Sequence, residues 1–443
     1  MQHVLPKRKF RLNPPQILTI GYFFLFFIGG ALLKLPIATT NGITWLNAWF
    51  EATSAMTVTG LGVVDTGQTF TLFGQIVLLA LIQIGGLGIM TFTVFIFILL
   101  GRRIGLKERI LTQESLNQSE LGGIIYLARH LFVYSSITEL IGALFLTIRW
   151  GPEMGWGHAS YAAIFHAISA FNNAGFSIWG SSLTKYVGDP TVNIVITGLF
   201  IIGGLGFTVL IDIWKKKHFR ELTLQSKLMI IGTVVINVVA VVLFFILEYN
   251  NPGTLGKLSL SDKLWASYFQ GVVPRTAGFN TVDIGALHTS TAIFIVFLMF
   301  VGAGSGSTGG GIKLTTFIAM MLTVFMFLKG KSEMVVMKRT IPQTIIIRSL
   351  VVTFLASTLI FVAVFILTLT EKASLIQLLF ETVSAFGTVG LSMNFTPHLS
   401  LIGRIVIICV MFIGKIGPLT LAFSFAKHNE AMIRYPKENI LTG

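Results

Sequence analysis

Four tripeptides in this chain could bind a cation through their main-chain oxygens. Each ends in a glycine that follows an aromatic residue by ten positions, and the surrounding segments align without gaps. The tripeptides are Val58-Thr59-Gly60, Asn173-Ala174-Gly175, Thr276-Ala277-Gly278 and Thr388-Val389-Gly390. Glycine supplies the positive φ that a return turn often needs, and rings of backbone carbonyls replace the hydration shell of K⁺ in potassium filters. The alignment therefore predicts a cation filter, with simple turns as the alternative.

Other aligned columns surround these tripeptides. A serine recurs six residues before the glycine in three copies, as Ser54, Ser169 and Ser384. Glu51 and Glu381 share one column, and we expect them to hydrogen-bond the filter backbone or face an outer vestibule rather than act as an acid–base pair. Asp65 and Asp283 share another, and they are predicted either to attract cations at the pore mouth or to be turn residues. Arg275 is predicted to brace its loop through Glu51 or Glu381.

A second glycine-rich stretch, 301–316, interrupts a long apolar segment. Each internal glycine costs a helix on the order of 1 kcal/mol relative to alanine. Irregular backbone at membrane depth is tolerated only where it is buried in protein or lines a water-filled cavity, so the stretch predicts a gate beside a permeation path. The predicted gate residues are Gly302, Ala303, Gly304, Ser305, Gly306, Ser307, Thr308, Gly309, Gly310 and Gly311, with Lys313 and Lys415. Its GxGxxG string lacks the strand and acidic residue of a dinucleotide site.

Composition indicates a polytopic membrane protein. Of 443 residues, 53% are hydrophobic and 11% charged, whereas soluble domains are about a quarter charged. The single cysteine excludes an internal disulfide, and the eight histidines show no metal-binding spacing. Apolar runs long enough to span a bilayer lie near 16–35, 70–100, 124–148, 192–214, 228–247, 291–328, 345–369 and 401–425. Shorter segments, 45–57, 161–172, 264–275 and 377–387, lie between the members of each pair.

Each unit contributes two spans, so all four copies face the same way across the membrane, unlike inverted-repeat transporters. We predict an all-α membrane protein with eight transmembrane helices plus four re-entrant pore helices, in four parallel membrane–pore–membrane repeats with pseudo-fourfold symmetry. The predicted divisions are a cytoplasmic N-terminus 1–15, repeat 1 at 16–100, a linker 101–123, repeat 2 at 124–214, a linker 215–227, repeat 3 at 228–328 with an intramembrane gating loop 302–311, a linker 329–344, repeat 4 at 345–425, and a cytoplasmic C-terminus 426–443.

The net charge of +14 accumulates after every second span, which places both termini in the cytoplasm by the positive-inside rule. The basic start and the apolar run 17–33 resemble a signal peptide, but the run is longer than the roughly 7–15 residues of such a region. It is therefore predicted as the first span. The two IGGLG motifs are predicted to be small-residue helix packing, through Gly85, Gly86, Gly88, Gly203, Gly204 and Gly206.

On these motifs the chain resembles the Trk/Ktr/HKT superfamily of potassium transporters over nearly its whole length, and within it the KtrB-like membrane subunits. The resemblance implies one filter glycine in each of four units and a broken third inner helix that gates the pore. Relatives with serine in the first copy pass Na⁺ more readily, so Gly60 implies K⁺. Lys415 stands where the family commonly has arginine. We expect it to lie across the pore from the gating loop and to add an electrostatic barrier.

The resemblance also implies a biological setting. It implies potassium uptake in a bacterial plasma membrane, for osmoadaptation and with activation by Na⁺. The expected partners are a second copy in a homodimer, membrane lipid, and a cytoplasmic ring of KtrA-type RCK-domain subunits, without nucleic acid. ATP or ADP is expected on that ring, and this chain itself is expected to bind no cofactor, only K⁺ in transit, with Na⁺ as a second ion.

Two other classes of protein remain open from the residues. The parallel repeats argue against a secondary transporter for another solute. A flux of Rb⁺ that is competed by K⁺, but not by amino acids or sugars, would distinguish a potassium transporter from such a protein. A membrane-embedded enzyme needs a nucleophile, base or metal set that converges at membrane depth. No such motif is recognisable in the sequence, so the chain is predicted not to be an enzyme.

Overall fold

The computed structural model describes residues 14–88, 91, 110, 124–331 and 333–425. The predicted C-terminus, most of the N-terminus, most of the linker 101–123 and the end of the second span lie outside the described residues. A long helix opens each quarter of the chain. These helices are α1 (Pro14–Lys34), α5 (Ile124–Met154), α9 (Leu224–Glu248) and α13 (Gln343–Thr370). Each contains an apolar stretch long enough to cross a membrane.

A shorter helix follows each long one. These are α2 (Trp45–Met56), α6 (Trp156–Phe171), α10 (Leu260–Val272) and α14 (Leu375–Gly387). Crossing a bilayer takes about 20 residues, and these helices have 12 to 16. Local sequence sets their starts, because the side chains of Thr44, Ser259 and Ser374 accept backbone N–H bonds at the N-cap. They overlap the predicted short segments, but α6 and α10 begin earlier than predicted, at Trp156 and Leu260.

In each unit, the apolar helix that follows the tripeptide ends at a glycine-containing break; this helix is called the second helix of the unit. The helices before the breaks are α4 (Leu72–Leu87), α7 (Pro190–Leu205), α11 (Thr289–Phe300) and α15 (Leu401–Ile416). The helices after them, where described, are α8 (Phe207–Lys215), α12 (Leu314–Leu328) and α16 (Pro418–Phe425). Gly88, Gly206 and Gly417 have φ of 83°, 98° and 92°, which glycine adopts without the steric cost that other residues incur.

These breaks differ from the prediction, which placed an interruption only in the second span of repeat 3. Among the described residues four helices are long and apolar enough to span a membrane, or five if α7 and α8, bent by 94°, count as one. Gly88 and Gly206 lie at the C-terminal ends of α4 and α7, and a Cβ atom on Gly206 would also lie 2.6 Å from the carbonyl oxygen of Ser305 in the glycine-rich loop. Gly85 and Gly203 do pack closely, because a Cβ atom on either would overlap the carbonyl oxygen of Met56 or Phe171 at the end of a short helix.

The remaining elements are short. Helix α3 (Thr66–Thr69) is a single turn, and 3₁₀ turns occupy Pro36–Ala38, Thr184–Tyr186, Phe219–Glu221, Ile284–Ala286 and Thr396–His398. In the predicted linker 329–344, strands β1 (Val335–Val336) and β2 (Arg339–Thr340) form an antiparallel hairpin with Val335 opposite Thr340. This hairpin departs from the all-α prediction but lies far in sequence from the tripeptides. The core surrounds the short helices, where Phe50, Phe165 and Phe380 are fully buried.

Candidate functional site

The four predicted filter glycines lie side by side in a closed ring. A Cβ atom added to Gly60 would lie 3.2 Å from the Cα of Gly175, and one on Gly175 would lie 2.7 Å from the Cα of Gly278. The same construction on Gly278 reaches the Cα of Gly390 at 3.4 Å, and on Gly390 it reaches Gly60 at 3.1 Å. Four segments separated by about a hundred residues each therefore meet at one place.

Main-chain carbonyls crowd this ring. A side chain on Gly278 would approach the carbonyl oxygen of Val389 to 2.6 Å, and one on Gly175 would approach that of Ala277 to 2.9 Å. The carbonyl oxygens of Ala174 and Thr59 overlap the corresponding positions at Gly60 and Gly390. In every copy, then, the carbonyl oxygen just before the glycine faces the glycine of the preceding copy, and that of the first copy faces the glycine of the fourth. Only a residue without a side chain fits at these four positions.

In the first and fourth copies, all three N–H groups of the tripeptide donate to the short helix before it. In the first copy Val58 N donates to Ala55 O, Thr59 N to Ser54 O, and Gly60 N to Ser54 Oγ at 3.0 Å. The fourth copy repeats the pattern, with Gly390 N donating to the aligned serine Oγ at 3.1 Å. Because N–H and C=O of a trans peptide point in opposite directions, successive carbonyls point away from the helix.

This geometry requires unusual dihedral angles. The first residue of every tripeptide is left-handed, with φ of 53° at Val58, 59° at Asn173, 76° at Thr276 and 50° at Thr388. Three of these residues are β-branched, for which positive φ is a genuine outlier. Such strain costs on the order of 1–3 kcal/mol per residue and persists where the surroundings over-determine it, often at functional sites. All four copies share this conformation at the first residue of the tripeptide.

The aligned glutamates fasten the segments that follow the glycines. Glu51 Oε1 accepts hydrogen bonds from Val63 N at 2.8 Å and Val64 N at 3.2 Å. Glu381 accepts from Met393 N at 3.1 Å and, in addition, from the hydroxyls of Ser392 at 2.5 Å and Thr396 at 2.6 Å. Both glutamates are fully buried. Of the predicted alternatives, these contacts match hydrogen bonding of the glutamates to backbone. The backbone concerned is the segment that follows each tripeptide.

Replacing Glu381 by alanine is expected to lower the thermal stability of the purified protein markedly. The change leaves two hydroxyls and one N–H without their acceptor, and an unsatisfied buried polar group costs about 1–3 kcal/mol. The midpoint of thermal unfolding in detergent measures the effect. Glu221→Ala, at an exposed position, is the control, and equal midpoints for the two variants would contradict this role for Glu381.

The aligned aspartates cap turns. Asp65 Oδ1 accepts from Gln68 N at 2.9 Å, at the start of α3. Asp283 Oδ1 accepts from Gly285 N and from Asn394 Nδ2, both at 2.9 Å. Their contacts match the turn-residue alternative. Asp65 also lines a cavity of about 370 Å³ that is bounded by all four glycines and by the residues after them.

The prediction for Arg275 was wrong. Its Nη1 donates to Asn237 Oδ1 at 3.3 Å, and it forms no ion pair with either glutamate. Each glutamate instead lies against the segment after the glycine of its own copy, where backbone N–H groups or hydroxyls donate to it, and Glu51 Oε2 has no hydrogen-bond partner among the described residues.

The glycine-rich loop 302–311 contacts the tripeptides at the end opposite the cavity. Gly310 N donates to Thr388 Oγ1 at 2.8 Å, and the side-chain amide of Asn173 lies 2.9 Å from both Thr308 Oγ1 and Thr276 Oγ1. These contacts use the first residue of each tripeptide, whereas the cavity is lined from the glycine onward. The ring therefore lies between the loop and the cavity.

Two half-buried lysines donate hydrogen bonds to adjacent carbonyls of this loop. Lys313 Nζ donates to Gly309 O at 2.6 Å, and Lys415 Nζ donates to Thr308 O at 2.5 Å. The loop is also tied to the second unit, where Phe207 N donates to Gly306 O at 2.9 Å. The predicted gate residues are thus brought together directly beneath the ring, and Lys415 touches the loop itself.

One polar cluster behind the second tripeptide escaped sequence reasoning. Asn172 Nδ2 donates to Gln83 Oε1 at 2.7 Å and to Glu139 Oε1 at 3.2 Å, and Gln83 Nε2 donates to Glu139 Oε1 at 3.1 Å. The signal was available, because an acidic residue inside an apolar span is rare and usually has a role. The cluster joins the first and second units at the C-terminal end of α6.

Comparisons with known proteins bear on this geometry. A family model described as "TrkH: Cation transport protein" matches residues 7–434. The chain is 56% identical to Ktr system potassium uptake protein B of Bacillus subtilis, over 98% of this chain and 97% of that protein. The chain belongs to the TrkH family of cation transport proteins. Within this family it is also 43% identical to Ktr system potassium uptake protein B of Vibrio alginolyticus, over 97% of this chain and 95% of that protein.

A solved structure extends the comparison to the fold. The crystal structure of the potassium transporter TrkH from Vibrio parahaemolyticus matches with a TM-score of 0.73, covering 95% of this chain and 86% of that one. The sequence identity is 20%, so this match concerns the fold alone. The chain therefore has the helical membrane-protein fold of its family.

Proposed function

We propose that this chain is the ion-translocating membrane subunit of a potassium uptake system, and that K⁺ crosses through the ring of the four tripeptides. The observation that carries the proposal is the carbonyl oxygen placed beside each neighbouring glycine. Such rings substitute for the hydration shell of K⁺. Two relatives covering nearly the whole chain are named as potassium uptake proteins, which supports K⁺ as the transported ion and transport rather than catalysis.

The proposed architecture is four parallel membrane–pore–membrane repeats with the predicted boundaries, eight spans and four re-entrant pore helices. The fourfold recurrence of long helix, short helix, tripeptide and second helix supports it. K⁺ enters the cell down its electrochemical gradient, since one positive charge moving inward gains about 2.3 kcal/mol per 100 mV. Asp65, on the cavity wall, and Asp283, on a nearby turn, lie at the outer mouth, and both termini are cytoplasmic.

The loop 302–311 is the proposed gate. Its hydrogen bonds to Thr388, to the Asn173 amide and to two lysine amines support a closed position directly under the ring. A glycine-rich loop that owes its place to a few side-chain contacts can move aside when those contacts are exchanged. Lys313 and Lys415 add positive charge beside the path and oppose the passage of cations while the loop is in this position.

The rest of the proposal concerns the assembly. We infer a homodimer in the bacterial plasma membrane, each protomer with its own pore, beneath which a KtrA-type RCK ring binds ATP or ADP and moves the loop. Similarity to the Ktr system membrane protein supports this arrangement. Activation by Na⁺ and a role in osmoadaptation belong to the same proposal.

Gly60→Ser tests the filter directly in a cell deficient in potassium uptake. The added side chain meets the Ala174 carbonyl, so the ring widens or tilts and the preference for K⁺ over Na⁺ falls, by roughly tenfold for each 1.4 kcal/mol lost. The measurement is the K⁺ to Na⁺ uptake ratio. Gly42→Ser is the control, because Gly42 has φ of 75° but open space around it. An unchanged ratio for Gly60→Ser contradicts the filter assignment.

A further inference from the structure

Arg275 carries a buried positive charge that no acidic side chain among the described residues compensates with an ion pair. It is 7% exposed, and none of the four ion pairs in the described residues includes it. Its Nη1 donates to the neutral Asn237, and its Nε has no hydrogen-bond partner in the described part of the chain. Arginine stays protonated in proteins and offers only donors. Because a buried charge is normally paired, this guanidinium calls for an acceptor.

A small cavity lies against this guanidinium. It has a volume of about 20 Å³, and its polar lining is Arg275, Thr233 and Asn237. Thr233 is 7% exposed, and its Oγ1 also lacks a partner among the described residues. Thr233 and Asn237 are four residues apart on α9, so they share a face of that helix. Three different donor groups therefore converge on one small volume, and no carboxylate lines it.

Size and charge together select the occupant. A site needs about 10–15 Å³ to hold one water-sized particle, so the cavity takes a single atom and is too small for phosphate, sulfate or a carboxylate. A water molecule would satisfy the unpaired N–H and hydroxyl but would leave the guanidinium charge uncompensated. A monatomic anion satisfies both requirements. We propose that this cavity binds one halide ion of the size of chloride, held by Arg275, Thr233 and Asn237.

The position of the site connects it with the gate. Ala303 of the glycine-rich loop and Gly204, just before the break at Gly206, line the same cavity. Arg275 directly precedes the third tripeptide. A bound anion lowers the positive potential that Arg275 adds beside the ring, and it packs against the loop. This consequence for ion flow rests on the proposed function, whereas anion binding does not.

Bromide is the probe for the binding test. Crystals of the full-length protein grown in bromide are expected to show an anomalous peak between Arg275 and Thr233. In solution, replacing chloride by gluconate at constant ionic strength and constant K⁺ is expected to lower the thermal midpoint by about 2 °C, because a ligand of the native state stabilises it. Gluconate is too large for the cavity and therefore leaves it without an anion.

Thr233→Val removes one donor and keeps the volume, so the variant folds even where an Arg275 variant does not. It is expected to lose the bromide peak and the chloride dependence of the midpoint. Thr353→Val is the matched control, because the Thr353 hydroxyl already donates to Ser349 O at 2.9 Å, and it keeps both. If the unaltered protein shows no bromide peak and its thermal midpoint does not depend on chloride, the cavity holds only a water molecule. That result would overturn this inference. If that protein still takes up K⁺, the proposed function stands.

Discussion

Replacing Gly278 by valine is expected to lower K⁺ uptake at least about 100-fold, equivalent to roughly 2.7 kcal/mol, while the protein still reaches the membrane. The new side chain would approach the Val389 carbonyl to 2.6 Å and the Cα atoms of both neighbouring glycines to within 3.4 Å. All three contacts are backbone, so no flexible side chain can move aside. The carbonyl ring must distort, and a distorted ring no longer replaces the hydration shell of the ion.

The matched control for this change is Gly42→Val. Gly42 has φ of 75° and Gly278 has φ of 74°, so both substitutions incur the same backbone strain, but nothing lies within 4 Å of a Cβ atom on Gly42. We expect the control to transport K⁺ at nearly the unaltered rate. ⁸⁶Rb⁺ uptake, normalised to the amount of protein in the membrane, is the measurement. Equal losses of ⁸⁶Rb⁺ uptake in the two variants would mean that backbone strain alone causes the effect. That result would contradict the assignment of Gly278 to the filter.

Lys415→Met is expected to raise K⁺ flux through the purified chain about tenfold, which corresponds to the loss of about 1.4 kcal/mol of stabilisation of the loop in its observed position. The substitution keeps the apolar stem of the side chain and removes both the ammonium charge and its hydrogen bond to Thr308 O. Without that bond the loop leaves its position under the ring more often. Without the charge, the barrier to a cation beside the loop is lower, since a partly buried charge is only weakly screened.

Lys227→Met is the control for the gate variant. Lys227 Nζ also donates to a backbone carbonyl, that of Arg220 at 2.6 Å, but at the protein surface. Flux through reconstituted protein under a fixed K⁺ gradient distinguishes the two. If Lys415→Met leaves flux unchanged, or lowers it to the same extent as the control, the lysine has no part in gating.

Features that repeat within the chain were predictable from its sequence. The four tripeptides, the short helices before them and the irregular loop 302–311 follow from aligned glycines and from the incompatibility of dense glycine with a helix. The contacts of Glu51 and Glu381 with backbone were among the predicted alternatives. For the tripeptides and the short helices, one local rule applied four times, and this repetition indicated a structure that a single glycine does not.

Features that depend on contacts between copies were not predictable. The left-handed φ of Thr276 and Thr388 comes from threading the backbone between a short helix and the loop, against the local preference of threonine. Arg275 was assigned a carboxylate partner because sequence alone does not show that Glu51 and Glu381 accept hydrogen bonds from donors of their own copies. The breaks at Gly88 and Gly206 were read as helix packing, since a glycine that packs and a glycine that ends a helix look alike until φ is known.

The central claim is that the carbonyl oxygens of Thr59, Ala174, Ala277 and Val389 bind a dehydrated alkali cation on a common axis. Anomalous diffraction from crystals grown in Rb⁺ tests it most directly. We predict a peak at the centre of the glycine ring that K⁺ competes away and that Gly278→Val abolishes. A protein that carries Rb⁺ across the membrane but shows no density within the ring would contradict the claim.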